Sequence, residues 1–190
     1  MSIANTVQWL ERAVIGLNLC PFAKAVHAKR QVHYVVSHAA GEVQLLELLA
    51  EELRALQQIP PQQRDTTLLI IPRLLNEFLA FNDFLARADA LLRRLHLEGI
   101  LQIASFHPQF QFAGTAEDDM SNFTNRAPYP TLHLLREESI DRAVAVFPDA
   151  EEIFEKNMQT LNALGAEGWN ALGLPVRAHE TSVRGQREND

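Results

Sequence analysis

Three short apolar runs alternate with two stretches in which leucines recur every three or four residues, and this alternation restricts the fold more than any other feature of the chain. The runs are Gln31 to Ser37 (QVHYVVS), Thr66 to Ile71 (TTLLII) and Ile100 to Phe106 (ILQIASF). β-Branched and aromatic side chains suit a pleated surface, so runs of this length and composition read as strands. Val43, Leu46, Leu49, Leu53 and Leu56 mark one face of a helix from Gly41 to Gln57, stopped by Ile59-Pro60-Pro61. Phe78, Leu79, Leu85, Leu92 and Leu95 mark another from about Leu75 to His96, with Gly99 just past its end. Two strand-helix-strand units in succession favour parallel strands. TTLLII, apolar without a break, is expected to be covered on both faces.

After Phe106 the rhythm stops. The next strand-like run is Thr131 to Leu135 (TLHLL), and it is expected to return antiparallel. A loop as long as 107–130 inside a small domain is unusual, and when ordered it often carries function. Before the first strand, Ile3, Val7, Leu10, Val14 and Leu17 predict a helix from Ser2, its N-cap, to Gly16. Pro21 then sets Cys20 at a bend, ahead of a short basic helical piece from Ala23 to Lys29. Near the C-terminus Ser139 is expected to cap a helix ending near Phe147, and Asp149 a second one closed by Gly165. A last turn holds Trp169 and Leu172. The expected fold is α/β or α+β, a layered sandwich with a mostly parallel mixed sheet of about four strands flanked by helices. Residues 1–173 are read as one domain and 174–190 as a disordered polar tail.

Composition narrows the function classes. A net charge of −7, with basic residues scattered, lacks the basic footprint of a nucleic-acid binder. Apolar stretches are broken by charge before the roughly 20 residues of a membrane span, and Met1-Ser2-Ile3-Ala4-Asn5 has no signal-peptide character. The only cysteine, Cys20, has no partner for an internal disulfide. A cytoplasmic protein without nucleic-acid or membrane partners is expected.

The 107–136 segment concentrates imidazole, carboxylate, amide and guanidinium groups among aromatic anchors. Cys20 as nucleophile with His107 or His133 as base, and Asp118 or Asp119 orienting the imidazole, would follow the logic of a thiol hydrolase or transferase. The same groups are chemically suitable metal ligands, but no CxxC, HxxxH or HExxH spacing preorganises them, so the cofactor is left open and a metal is not favoured. Asn122, Asn125, Arg126, Tyr129 and Arg136 are the candidates for gripping a substrate. His133 sits between Leu132 and Leu134, so strand alternation turns it away from whatever face those leucines share. Each of these residues also has a structural reading: free cysteine is commonly buried, Asn and Asp favour turns, and carboxylates favour helix N-termini.

Three stretches, Gly16 to Lys24 (GLNLCPFAK), His107 to Gly114 and Asn122 to Arg136 (NFTNRAPYPTLHLLR), resemble an uncharacterised bacterial family, domain of unknown function 1415 (DUF1415). The resemblance covers most of the chain before Gly165 and implies no residue roles. The leading expectation is a small-molecule enzyme, hydrolytic or group-transferring, built from the 107–136 loop and Cys20. The alternative is a binding or interaction domain that presents Phe110, Phe112 and Phe123 to a ligand, a partner or a second copy of the chain. A third reading spends every polar loop residue on the loop's own backbone, and it is favoured if no open cleft meets His107.

Overall fold

The computed structural model describes residues 1–146 and 152–175. Strands β1 (Val32–Val36), β2 (Thr66–Ile70), β3 (Leu101–Phe106) and β4 (Thr131–Arg136) form one open sheet in the order β1-β2-β4-β3. β1 and β2 are parallel, and β4 runs antiparallel to both β2 and β3. Three strands thus point the same way, as the strand-helix-strand pattern predicts. The slot beside β2, however, is taken by the late strand β4, which separates β2 from β3. β2 is buried along its whole length, as a continuous apolar run requires.

Helices α3 (Glu42–Gln58) and α4 (Phe78–Arg94) cover one face. Leu45, Leu49, Leu53 and Leu56 of α3 and Phe81, Phe84, Ala88 and Leu91 of α4 close over Leu69, Leu101, Leu132 and Leu134 of the sheet. Two expected core positions are corrected. Val43 and Leu79 are exposed, because each stands two residues before a buried one, Leu45 and Phe81, and so on the opposite side of its helix. α4 also starts at Phe78 instead of Leu75, since Leu75 takes a left-handed φ of 56°. It closes at His96, not Gly99: His96, at φ 56°, places its N–H on Arg93 O and that of Leu97 on Leu92 O, a Schellman stop.

The opposite face is covered piecemeal. Helix α1 (Ser2–Trp9) runs into a π-helical segment, Leu10–Ile15. Ser2 is the first residue of α1 and Met1 its cap, against the expected cap at Ser2. Ile3 is exposed and the inward residues are Thr6, Trp9, Leu10 and Ala13, a stripe at i, i+3, i+4 and i+7 that runs beside the expected one. The segment ends at Gly16, where any Cβ would collide with the Arg12 carbonyl oxygen. Then come the Cys20 bend and α2 (Ala23–Ala28). α5 (Glu137–Val146) starts directly from β4. Ser139 lies within its first turn and donates to Asp65 at 2.6 Å, so it does not cap the helix. α6 (Ile153–Ala171) is interrupted at Gly165, φ 64°, where the sequence predicts a stop, and resumes through Trp169. Leu174, expected in the tail, packs with Trp9, Trp169 and Ala127. The expectations for Phe147, Asp149 and residues 176–190 lie outside the described residues.

Candidate functional site

Strand alternation sends Leu132 and Leu134 into the α3/α4 core and His133 to the other face. There it lines a pocket of about 340 Å³. Leu68, His133, Leu135, Gln102 and Phe106 are among the sheet residues of the floor. Trp9, Leu10 and Val14 form one wall, Cys20, Phe22 and Ala23 a second, and Ile140 and Ala143 of α5 a third. The lining is almost wholly apolar. No described helix besides α5 closes that third side, and α5 has no buried residue of its own. Its inward side chains meet open space where the inward side chains of α3 and α4 meet neighbours.

The polar groups of this pocket divide into occupied and free. Thr66 gives its hydroxyl to Leu134 O at 2.6 Å, Ser139 gives its own to Asp65, and the indole N–H of Trp9 goes to Arg126 O at 2.9 Å. The His133 ring, set against Phe106 at 6.0 Å between centroids, and the Gln102 amide have no hydrogen-bond partner among the described residues. Burial presses the imidazole of His133 down to about 4, so it is neutral at pH 7. By area His133 is only partly buried, yet it lies deep in the protein. Both hold together because the surface it retains is turned to the pocket. Burial also pushes the Cys20 thiol up, against hydrogen bonds from the backbone of Phe22 and Ala23 that favour the thiolate. Cys20 and His133 therefore line one pocket as a neutral thiol and a neutral imidazole.

The other candidates are elsewhere, and most are engaged. His107 is fully buried beside Phe78 and Phe81. Its Nδ1 accepts from the Gln109 N–H at 3.0 Å, which leaves Nε2 as donor to Leu75 O at 3.1 Å. Burial lowers its pKa too, more than its bond to Leu75 raises it. It lines neither described pocket. Asn122, fully buried, accepts from the Phe112 N–H and the Thr115 hydroxyl and donates to Ala116 O and Glu117 O. Asn125 donates to Ser105 O at 3.3 Å and accepts from Thr124. Asp119 caps the 3₁₀ turn Met120–Asn125, where hydrogen bonding to Ser121 holds its carboxyl below the usual range, and Asp118 is exposed.

Arg126 donates to Phe110 O and Glu117 O and lies over the Phe123 ring at 4.3 Å. It also lines a smaller pocket of about 150 Å³ between Trp9, Phe123 and Trp169. The Tyr129 hydroxyl accepts from Asn5 at 2.8 Å. Arg136 satisfies the carbonyls of Leu56 and Ile59 at the end of α3, and that of Arg64. Of the predicted site residues, then, the structure brings together Cys20 and His133 and spends His107, Asn122, Asn125 and Arg136 on the fold. Gln102 and the pocket-facing side of α5 escape sequence reasoning. The alternation of ILQIASF places Gln102 with Phe106 on one face, but only the β3–β4 register, Ala104 opposite His133, puts that face beside the imidazole.

Among the described residues no group of three or more His, Cys, Asp or Glu converges as a metal site, and no helix is long and apolar enough to cross a membrane. A family model described as a protein of unknown function (DUF1415) matches residues 1–171, so the chain belongs to that family. No curated protein and no solved structure matches it.

Proposed function

We propose that this protein binds a small, mainly apolar molecule in the pocket on the α5 side of the sheet. The observation that carries the reading is the imidazole of His133, without a hydrogen-bond partner among the described residues, facing an apolar pocket of about 340 Å³. That volume lies at the small end of the roughly 300–1,000 Å³ typical of ligand sites, which combine apolar walls with a few placed polar groups. An imidazole turned to the pocket offers a ligand one donor and one acceptor nitrogen, and a hydrogen bond made there adds about 0.5–1.5 kcal/mol to binding. The single thiol, kept neutral, fits a reducing, cytoplasmic setting.

A second reading keeps the pocket and adds thiol chemistry, with Cys20 as nucleophile and His133 as base in a hydrolase or group transferase. Their shared pocket supports it. Burial works against it, because a thiolate-imidazolium pair needs the thiol lowered and the imidazole raised, and both are shifted the other way. Binding is therefore the stronger reading.

The test is titration with N-phenyl-1-naphthylamine, an uncharged fluorophore that brightens in apolar surroundings. Saturable enhancement at one probe per chain is expected, lost in Ala143→Trp, which fills the pocket from α5. At a hundred times Kd the probe should stabilise the fold by about 2.7 kcal/mol. Non-saturating enhancement, or equal enhancement in Ala143→Trp, would place the probe elsewhere and sink the proposal.

A further inference from the structure

The free polar groups of the pocket restrict what its ligand can be. His133 and Gln102 are on the same face of adjacent antiparallel strands. Ala104 stands directly opposite His133, and Leu135 opposite Gln102. The pair is thus diagonal, about 7–8 Å apart along the sheet. Ala104 has no side chain beyond Cβ and so places no bulky group between the two. A neutral imidazole offers one acceptor and one donor nitrogen, and a primary amide offers both an oxygen and an NH₂ group.

Charge excludes much of the rest. Asp65 is the only Asp, Glu, Lys or Arg among the described lining residues. Desolvating a carboxylate ligand beside it would be costly, with no cation in the lining to offset the cost. A ligand that is purely an acceptor, such as a ketone or an ether, leaves the imidazole lone pair unmatched whenever that nitrogen faces the pocket. A hydroxyl serves either tautomer and can bond both residues at once, donating to one and accepting from the other.

On the reading of this pocket as a ligand site, we infer that the ligand is a neutral hydroxyl compound, a phenol or alcohol with an apolar body, whose O–H is held between His133 and Gln102. Thr66 and Ser139 offer the ligand no free O–H donor, since their hydroxyl protons are already placed on Leu134 O and Asp65. The apolar body lies along Leu68, Leu10 and Ile140.

Displacement of N-phenyl-1-naphthylamine by 2-naphthol, 2-methoxynaphthalene and 2-naphthoate tests this in the wild-type chain and in His133→Leu and Gln102→Leu. The naphthol should bind about tenfold more tightly than its methyl ether, the difference one hydrogen bond makes, with the naphthoate weakest. In His133→Leu that ratio should fall to about twofold while the ether still displaces the probe, which also shows that the variant is folded. Gln102→Leu should give an intermediate ratio. Equal binding of naphthol and ether, a ratio that survives both substitutions, or tighter binding of the naphthoate would overturn the inference and leave the pocket reading standing. If the probe itself fails to saturate, both fall together.

Discussion

The 107–130 loop and the pocket above β4 differ in a way that runs against their appearance in the sequence. The loop is dense with groups that do chemistry, and while Glu117 and Asp118 stay exposed, the structure spends His107, Asn122 and Asn125 on the fold. Asn122 alone ties down Phe112, Thr115, Ala116 and Glu117, and His107 bridges Leu75 and Gln109. The pocket is chemically sparse, and its two free polar groups are unspent. A long segment without regular structure must pair its backbone groups somewhere, and here its own side chains do the pairing. Abundance of polar residues therefore measures the needs of the loop, whereas an unpaired side chain in an apolar wall marks what remains for another molecule.

The comparison breaks most readily at His107. His107→Ala leaves the Leu75 carbonyl and Gln109 N–H without partners and opens a gap beside Phe78 and Phe81. A loss of about 3 kcal/mol in urea unfolding is expected, with probe binding per folded molecule unchanged. A fully stable variant that has lost binding would return the site to the loop.

Acid should strain both regions in the same direction. His107 and His133 are held neutral in the folded state, while in the unfolded chain they take up protons near pH 6.5. Stability contributed by this difference is complete above that pH and is lost as pH falls, for His133 down to about 4. Each histidine adds at most about 1.4 kcal/mol per pH unit to the slope. Urea midpoints at pH 7.5 and 5.0 should differ less in His133→Leu than in the wild type, and an identical difference would mean that the ring is already solvated.

A smaller effect separates packed from open ground. Ala88→Leu adds atoms to the closed α4 core and should cost about 1–3 kcal/mol. Ala143→Leu adds the same atoms over the pocket and should change stability by less than about 1 kcal/mol while weakening the probe. Matched losses at the two sites, read from thermal melts, would show the pocket to be filled.

How much of this the sequence discloses follows the same division. Strand and helix order is legible because periods of two and of three to four depend only on neighbours along the chain. The orientation of His133 is legible for the same reason, from the two leucines that flank it. The partners of His107, Asn122 and Arg136 are not, since Leu75 O, Phe112 N and Ile59 O are backbone atoms and leave no mark in side-chain spelling. Nor is the vacancy under α5 legible, because Ile140 and Ala143 look the same whether or not anything lies beneath them.

The place of β4 also bears on how the chain assembles. Among the described strands β3 has no neighbour except β4, and β4 reaches β2 across the sixty intervening residues 71–130. Such distant pairing is slow, because loop-closure entropy is lost before contacts reward it. During synthesis β1 and β2 can pair early, but β3 waits for its only strand partner until the long loop and Thr131–Arg136 have emerged. A nascent chain halted before Thr131 would carry an apolar strand with nothing to join, a natural point for chaperone capture or aggregation.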